Sequence, residues 1–273
     1  MNPATMLVTG ASDGIGLQTA MQLGQHGARV LVHARNEAKA RDVVKRLDAH
    51  GVKDAVAVWA DLSVMAEVRA LAEQVKAHTR VLDVIVNNAG VFMTDEHKSA
   101  DGFELTFAVN HFAPFLLTHE LMSVLEAAQA ARIVNVSSIA HARGRVTVED
   151  LPVPRAFDGY GAYGASKLLN VLFTHELARR LTASKRKAVT FALHPGVITT
   201  KLLKTGFGMA GASVESGART SVFCATSKSV GVSGTYYSDA REVPCSPHAN
   251  DPALEKAVYE KSCALLDCAP LQA

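Results

Sequence analysis

The chain has 273 residues, 48% hydrophobic and 20% charged, with a formal net charge of +2. That supplies one large apolar core, while the absence of a basic stripe or acidic tail argues against nucleic acid and anionic membranes as partners, and no apolar run reaches the ~18 residues of a membrane span. The four cysteines, Cys224, Cys245, Cys263 and Cys268, crowd into the last quarter without zinc-like spacing, and no signal peptide precedes the first apolar run. Reduced thiols and a cytoplasmic location are therefore expected.

The chain opens with an apolar run, MLV at residues 6–8, that leads into TGASDGIG at residues 9–16 and then a helical pattern through Thr19, Ala20 and Leu23. Strand, glycine turn and helix in that order fit a dinucleotide site. Gly10 permits the tight turn, Gly14 lets backbone approach a pyrophosphate, and Gly16 lets the helix pack closely on the strand. The next strand, RVLVH at residues 29–33, ends at Ala34 and Arg35, where an acid would otherwise receive the ribose hydroxyls of NAD. Arg35 instead offers a guanidinium to a 2′-phosphate, so NADP(H) is the expected cofactor. Asp13, an acid inside the glycine turn, works against phosphate binding.

Two further runs, AVAVWA at residues 55–60 and LDVIV at 82–86, end at Asp61-Leu62 and at NNAG, residues 87–90. Polar and small groups thus recur at strand C-termini, where the ligand crevice of an open parallel sheet lies. Asp61 is placed to accept from an adenine amino group, Asn88, Ala89 and Gly90 to bring backbone to the cofactor, and Asn87 to tie neighbouring strands. Helical patterns occupy residues 63–78 and 102–125. A fifth strand, RIVNV at 132–136, ends in Ser137 and Ser138. Residues 139–162 hold Pro152, Pro154 and Gly159 and read as a substrate-side loop.

A helix opens at YGASK, residues 163–167, which sets Tyr163 and Lys167 on one face. An adjacent ammonium favours the phenolate, so the Tyr163 pKa is expected to fall and the residue to serve as general acid/base. After a sixth strand at 188–193 come Pro195 and Gly196, then GFGMAG at 206–211, which has the composition of a lid. A helix at 213–225, a strand at 234–238 and a helix entered at Asp251-Pro252 finish the chain. His111, His141 and His194 have no partners at metal-ligand spacing, so no metal is expected. The alternation of strands and helices indicates one α/β, doubly wound (Rossmann) domain over residues 1–273.

These ordered motifs, TGxxxGIG, NNAG, Asn110, Ser138, YxxxK and the Pro195-Gly196 turn, resemble the short-chain dehydrogenase/reductase family over nearly the whole chain. VNHFAPFLLT at 109–118, NVSSIAH at 135–141 and the His194-Pro195-Gly196 turn resemble its retinol dehydrogenase-like and WW-domain oxidoreductase-like branch. The resemblance implies a mainly parallel seven-stranded sheet and a catalytic set of Asn110, Ser138, Tyr163 and Lys167. In it Tyr163 exchanges the proton, Lys167 lowers its pKa and holds the nicotinamide ribose, Ser138 binds the substrate oxygen and Asn110 anchors a relay water. It also implies cofactor contacts from Ser12, Asp13 and Ile15 beside the glycines, from Leu62 beside Asp61, and from Ile198 and Thr200. Ser137 is expected to be structural, and Tyr160, with Gly164 rather than lysine four residues on, is not the catalytic tyrosine.

The expected function is an NADP(H)-dependent interconversion of an apolar ketone or aldehyde and its alcohol. The competing class is a catalytically idle, cofactor-sensing or partner-binding relative. Membrane attachment is not expected. The apolar faces of residues 112–125 and 168–181 suggest a homodimer or homotetramer.

Overall fold

A computed structural model describes residues 3–154, 156–203 and 208–272. Its centre is a sheet with the order β3-β2-β1-β4-β5-β6-β7-β8. The strands are β1 (Thr5–Val8), β2 (Arg29–Ala34), β3 (Ala55–Trp59), β4 (Val84–Asn87), β5 (Arg132–Val136), β6 (Val189–His194), β7 (Tyr236–Ser238) and β8 (Arg241–Glu242). β1 to β7 run parallel, with Leu7 registered between Leu31 and Ile85. Such strands carry helices on both faces and read as continuous apolar runs rather than alternating ones, which is why they were legible. The sheet has eight strands among the described residues, not seven. The addition is the two-residue β8, which folds back antiparallel on β7 through the positive-φ residues Asp239 and Ala240 and carries no apolar signal.

Helices α1 (Gly14–Gln25), α2 (Glu37–Ala49) and α8 (Val214–Thr226) cover one face. The other carries α3 (Met65–His78), the segment from α4 (Leu105–Phe107) through α5 (Ala113–Glu120) and α6 (Met122–Glu126), α7 (Gly159–Ala183) and the C-terminal α9 (Pro252–Leu265). Each face has its own apolar cluster, around Leu23, Val32 and Phe191 on the first and around Phe115, Phe173 and Tyr259 on the second. The expected helix over 102–125 is interrupted. A π turn at Ala108–Phe112 carries Asn110, and the chain breaks again at Leu121. Helix α7 starts one turn before Tyr163, because the Asp158 carboxylate accepts from Gly161 N and caps it at Gly159.

The apolar faces that suggested self-association are covered within the chain. Phe112, Phe115, Leu116 and Leu117, with Leu168, Leu172, Phe173 and Leu177, are all essentially inaccessible, and Tyr259 of α9 packs on both Phe115 and Phe173. No helix among the described residues is long and apolar enough to cross a membrane.

The strand order reverses between β1 and β4, so the chain diverges there and leaves a crevice beyond the strand C-termini. Buried amides stitch this region together. Asn87 Nδ2 donates to Asn135 Oδ1 at 2.9 Å, and Asn135 Nδ2 donates to Thr174 Oγ1 at 2.9 Å, tying β4 to β5 and β5 to α7.

Candidate active site

A cleft of about 700 Å³ occupies the crevice. Gly10, Ser12, Asp13, Gly14, Ile15 and Gly16 form its floor, and Arg35, Asp61, Leu62, Asn88, Ala89 and Gly90 lie along it. Ser138, Tyr163, Lys167, Ile198 and Thr200 stand at its far end. Of the catalytic and cofactor-binding residues expected from sequence, Asn110 alone is not part of the lining.

The glycine turn has the shape of a phosphate cradle. Gly10 has φ +65°, and a Cβ there would stand 2.8 Å from Ala89 Cα; at Gly16 it would stand 2.3 Å from Gly10 O. Larger residues would force strand, turn and helix apart. The first N–H groups of α1 lack intrahelical partners by geometry, and the Asp13 side chain does not cap them. That carboxylate instead pairs with Lys201 Nζ at 2.7 Å, which offsets the charge expected to oppose phosphate. Asn88 holds the turn from β4 by donating to Thr9 O at 2.8 Å. This cradle fits a dinucleotide pyrophosphate.

His33 went unnoticed in the sequence because nothing in RVLVH marks it as more than a strand residue. Its Nδ1 accepts from Gly10 N at 3.1 Å, so the proton sits on Nε2, which donates to Ala60 O at 3.1 Å. Burial lowers its pKa to about 4 and keeps the ring neutral, as the bond accepted from Gly10 N requires. It fastens the glycine turn to the ends of β2 and β3. Beyond it Arg35 and Lys39 line the cleft, with Arg35 Nε 3.9 Å from Asp61 Oδ2. Asp61 Oδ1 accepts from Ser63 N and Oγ at 2.9 and 2.7 Å. Burial opposes ionisation of Asp61, but the Ser63 hydrogen bonds and Arg35 outweigh it and lower the pKa. Lys39, one turn into α2, was also missed.

At the other end Tyr163 and Lys167 share a face of α7, with Nζ 5.7 Å from the phenol ring centroid. Lys167 is buried and donates to Val136 O at 3.0 Å; burial lowers its pKa to about 8. Tyr163 departs from expectation. Burial raises its pKa, and a hydrogen bond with Ser138 offsets this only in part. The ammonium is aimed at a carbonyl, so desolvation outweighs it in the chain alone. Ser138 Oγ also caps the turn Ile139–Ala142 by accepting from Ala140 N at 3.2 Å, whereas Ser137 Oγ is tied to Lys167 O at 2.7 Å.

The Asn110 amide is fully engaged, accepting from Val91 N at 2.8 Å and donating to Val91 O and Ser166 Oγ at 3.0 Å. It joins the loop after β4 to α7, directly behind Gly90, where a Cβ would stand 3.3 Å from Lys167 Nζ. Thr199 turns its hydroxyl to Gly211, so Thr200 faces the cleft. Tyr160 is exposed, outside the lining, and its ring packs at a tilt against Phe92. The apolar end comprises Phe92, Met93, Ile139, Leu202, Leu203 and Met209. Residues 206 and 207 of the expected lid lie outside the described residues; Gly208 has φ +60° and Met209 is exposed. Of residues 139–162, Ile139 and Ala140 line the cleft, and short turns at Ile139–Ala142 and Val148–Asp150 replace an open loop.

The model of the short chain dehydrogenase family matches residues 4–209. Bovine (Bos taurus) retinol dehydrogenase 12 is 37% identical over 272 residues, covering 96% of this chain and 85% of that protein. An uncharacterized Mycobacterium paratuberculosis protein of known crystal structure is similar with 30% identity and a TM-score of 0.83, covering 98% of this chain and 97% of its own. A Pseudomonas aeruginosa RhlG/NADP active-site complex is similar with 25% identity and a TM-score of 0.70, covering 85% and 93%. The chain belongs to the short-chain dehydrogenase family.

Proposed function

We propose that the protein is an NADP(H)-dependent oxidoreductase that interconverts a lipophilic ketone or aldehyde and its alcohol. The observation that carries this reading is one cleft with a cationic end at Arg35 and Lys39, a Tyr163-Lys167-Ser138 cluster in its wall and an apolar far end. The retinol dehydrogenase relative is named for a lipophilic alcohol and the RhlG complex for NADP, which supports both halves.

When bound, the cofactor supplies or accepts the hydride. The glycine turn and the α1 N-terminus receive its pyrophosphate, and Arg35 and Lys39 its 2′-phosphate. Ser138 and Tyr163 both direct hydroxyls at the substrate oxygen. Tyr163 donates its proton there as negative charge develops, and Ser138 stabilises that charge. Burial holds the phenol protonated at neutral pH, which suits the reductive direction. Lys167 retains its charge below about pH 8 and serves the cofactor ribose and the recharging of Tyr163. Asn110 acts by positioning, since its side chain is spent on Val91 and Ser166.

The lipophilic preference rests on exposed apolar side chains. Among the described residues, six large hydrophobics are exposed, and three of them, Ile139, Val197 and Met209, line this cleft. Clustered exposed apolar surface signals a binding site. The test is NADPH absorbance with carbonyl compounds graded from short polar aldehydes to long apolar and aromatic ones. We expect kcat/KM to rise with apolar length; a preference for short polar aldehydes would defeat the assignment.

A further inference from the structure

Far from the cleft, the end of α9 folds back on itself. Asp267 takes φ +47° and Cys268 N donates to Cys263 O at 3.1 Å, a helix-ending turn that sets the Cys268 side chain over that of Cys263. Arg69 of α3 holds the turn by donating to Leu266 O at 2.6 Å and Asp267 O at 3.3 Å. From α5, His119 faces the same place. The His119 ring nitrogen and the two sulfur atoms lie within 4.8 Å of one another. The sequence hides this cluster, because the histidine stands far along the chain from the two cysteines.

The state of His119 can be read from its partners. Nδ1 lies 2.8 Å from Phe115 O, a pure acceptor, so Nδ1 carries the proton and Nε2 presents a lone pair. The Tyr259 hydroxyl lies 2.7 Å from that lone pair and donates to it. An imidazole whose far N–H is fixed on a backbone carbonyl is the form that metal ligation requires.

We propose that His119, Cys263 and Cys268 bind one zinc ion through Nε2 and two thiolate sulfurs, with water as the fourth ligand. Binding forms one Zn–N and two Zn–S bonds, and the two thiol protons leave to solvent. Bonds of about 2.0–2.1 Å to nitrogen and about 2.3 Å to sulfur need the three atoms to draw together by roughly 1 Å. Rotation of the Cys263 and Cys268 side chains about χ1 supplies that movement with the backbone turn in place. The Tyr259 hydroxyl gives up Nε2 while its ring stays packed. Two thiolates balance the ion, and Arg69 sits beside the site without competing as a ligand. The ion would staple the C-terminal turn to α5, the helix that follows the Asn110 turn.

The test uses the full chain, reduced, stripped with a chelator and titrated with cobalt(II), then zinc. Expected are a near-ultraviolet thiolate-to-cobalt band with the visible bands of four-coordinate cobalt, their loss on adding zinc, about two protons released per zinc, and a higher Tm. Cys268→Ser, at a half-buried terminal position that leaves the core intact, should weaken zinc by more than the roughly 10–100-fold typical of losing a supporting contact. Tyr259→Phe should bind more tightly, because it frees the Nε2 lone pair. The proposal is overturned if the charge-transfer band is absent, if it persists in Cys268→Ser, or if Tyr259→Phe binds more weakly than the parent.

Discussion

Lys167 and Tyr163 titrate in opposite directions from one cause. Burial disfavours the ammonium of one and the phenolate of the other, so the lysine falls to about 8 while the tyrosine rises. Reduction needs Tyr163 protonated and Lys167 charged. Its kcat/KM is therefore expected to be flat through neutrality and to decline above about pH 8 as the lysine loses its proton. A rate still rising one unit above that value would contradict the assignment. At the other end of the cleft, Lys201→Ala should raise the NADPH KM a few-fold, because Asp13 is then left uncompensated beside the phosphates. The pair is exposed and worth about 1 kcal/mol or less. Arg35→Ile with Lys39→Ala should cost more, since each charge-assisted bond is worth roughly 1.5–3 kcal/mol, and should shift preference toward NADH. Steady-state kinetics with both cofactors decides; an unchanged ratio would mean that neither cation meets the 2′-phosphate.

Among the elements, the interrupted helix around Asn110 deserves the closest test. The π turn at Ala108–Phe112 sets the Asn110 amide against Val91 and Ser166. Asn110→Ala leaves Val91 N without that acceptor, at a cost of about 1 kcal/mol for a partly buried group, and lets the loop behind Gly90 move. We expect a lower Tm and a lower kcat together; a normal kcat with a lower Tm would make Asn110 purely structural. Sequence periodicity could not show this turn, since one extra residue per turn leaves an apolar helix apolar. The same limit explains α7, buried on nearly every side, whose first turn from Gly159 read as loop in the sequence because Asp158 and Gly159 look like a break until the cap is seen. Strong local signals survived. Asp251 accepts from Ala253 N and Leu254 N, as an acid followed by proline suggests, and the glycine turn after β1 stands where its spacing required. His33 and Lys39 were invisible because their roles exist only after β1, β2 and β3 are side by side.

For the molecule as a whole, buried histidines set the pH range of stability. Burial lowers His33 to about 4, His111 to about 3 and His119 to about 4, all from 6.5. The unfolded chain therefore takes up protons first as pH falls, and stability is lost from about 6.5 downward through those values. His175 runs the other way. Burial opposes its charge, but Cys245 and the Glu255 carboxylate outweigh it and raise the pKa to about 9, so its contribution is complete below 6.5 and fades as pH rises through 9. Urea midpoints should fall steeply on the acid side, where burial lowers His141 and His194 as well, and change less on the alkaline side, where the loss at His175 is opposed by Lys167, whose pKa burial lowers. Equal midpoints at pH 7 and pH 5 would show that these rings reach water. The whole fold also serves one purpose in this reading, which is to bring a nucleotide end and an apolar end together at Tyr163. Tyr163→Phe tests that claim most directly, by single-turnover NADPH consumption with an aromatic ketone alongside NADPH fluorescence titration. Turnover should drop by roughly 10²–10⁴-fold while cofactor affinity stays within about two-fold, because only the proton donor is lost. Turnover equal to the parent's would contradict the mechanism.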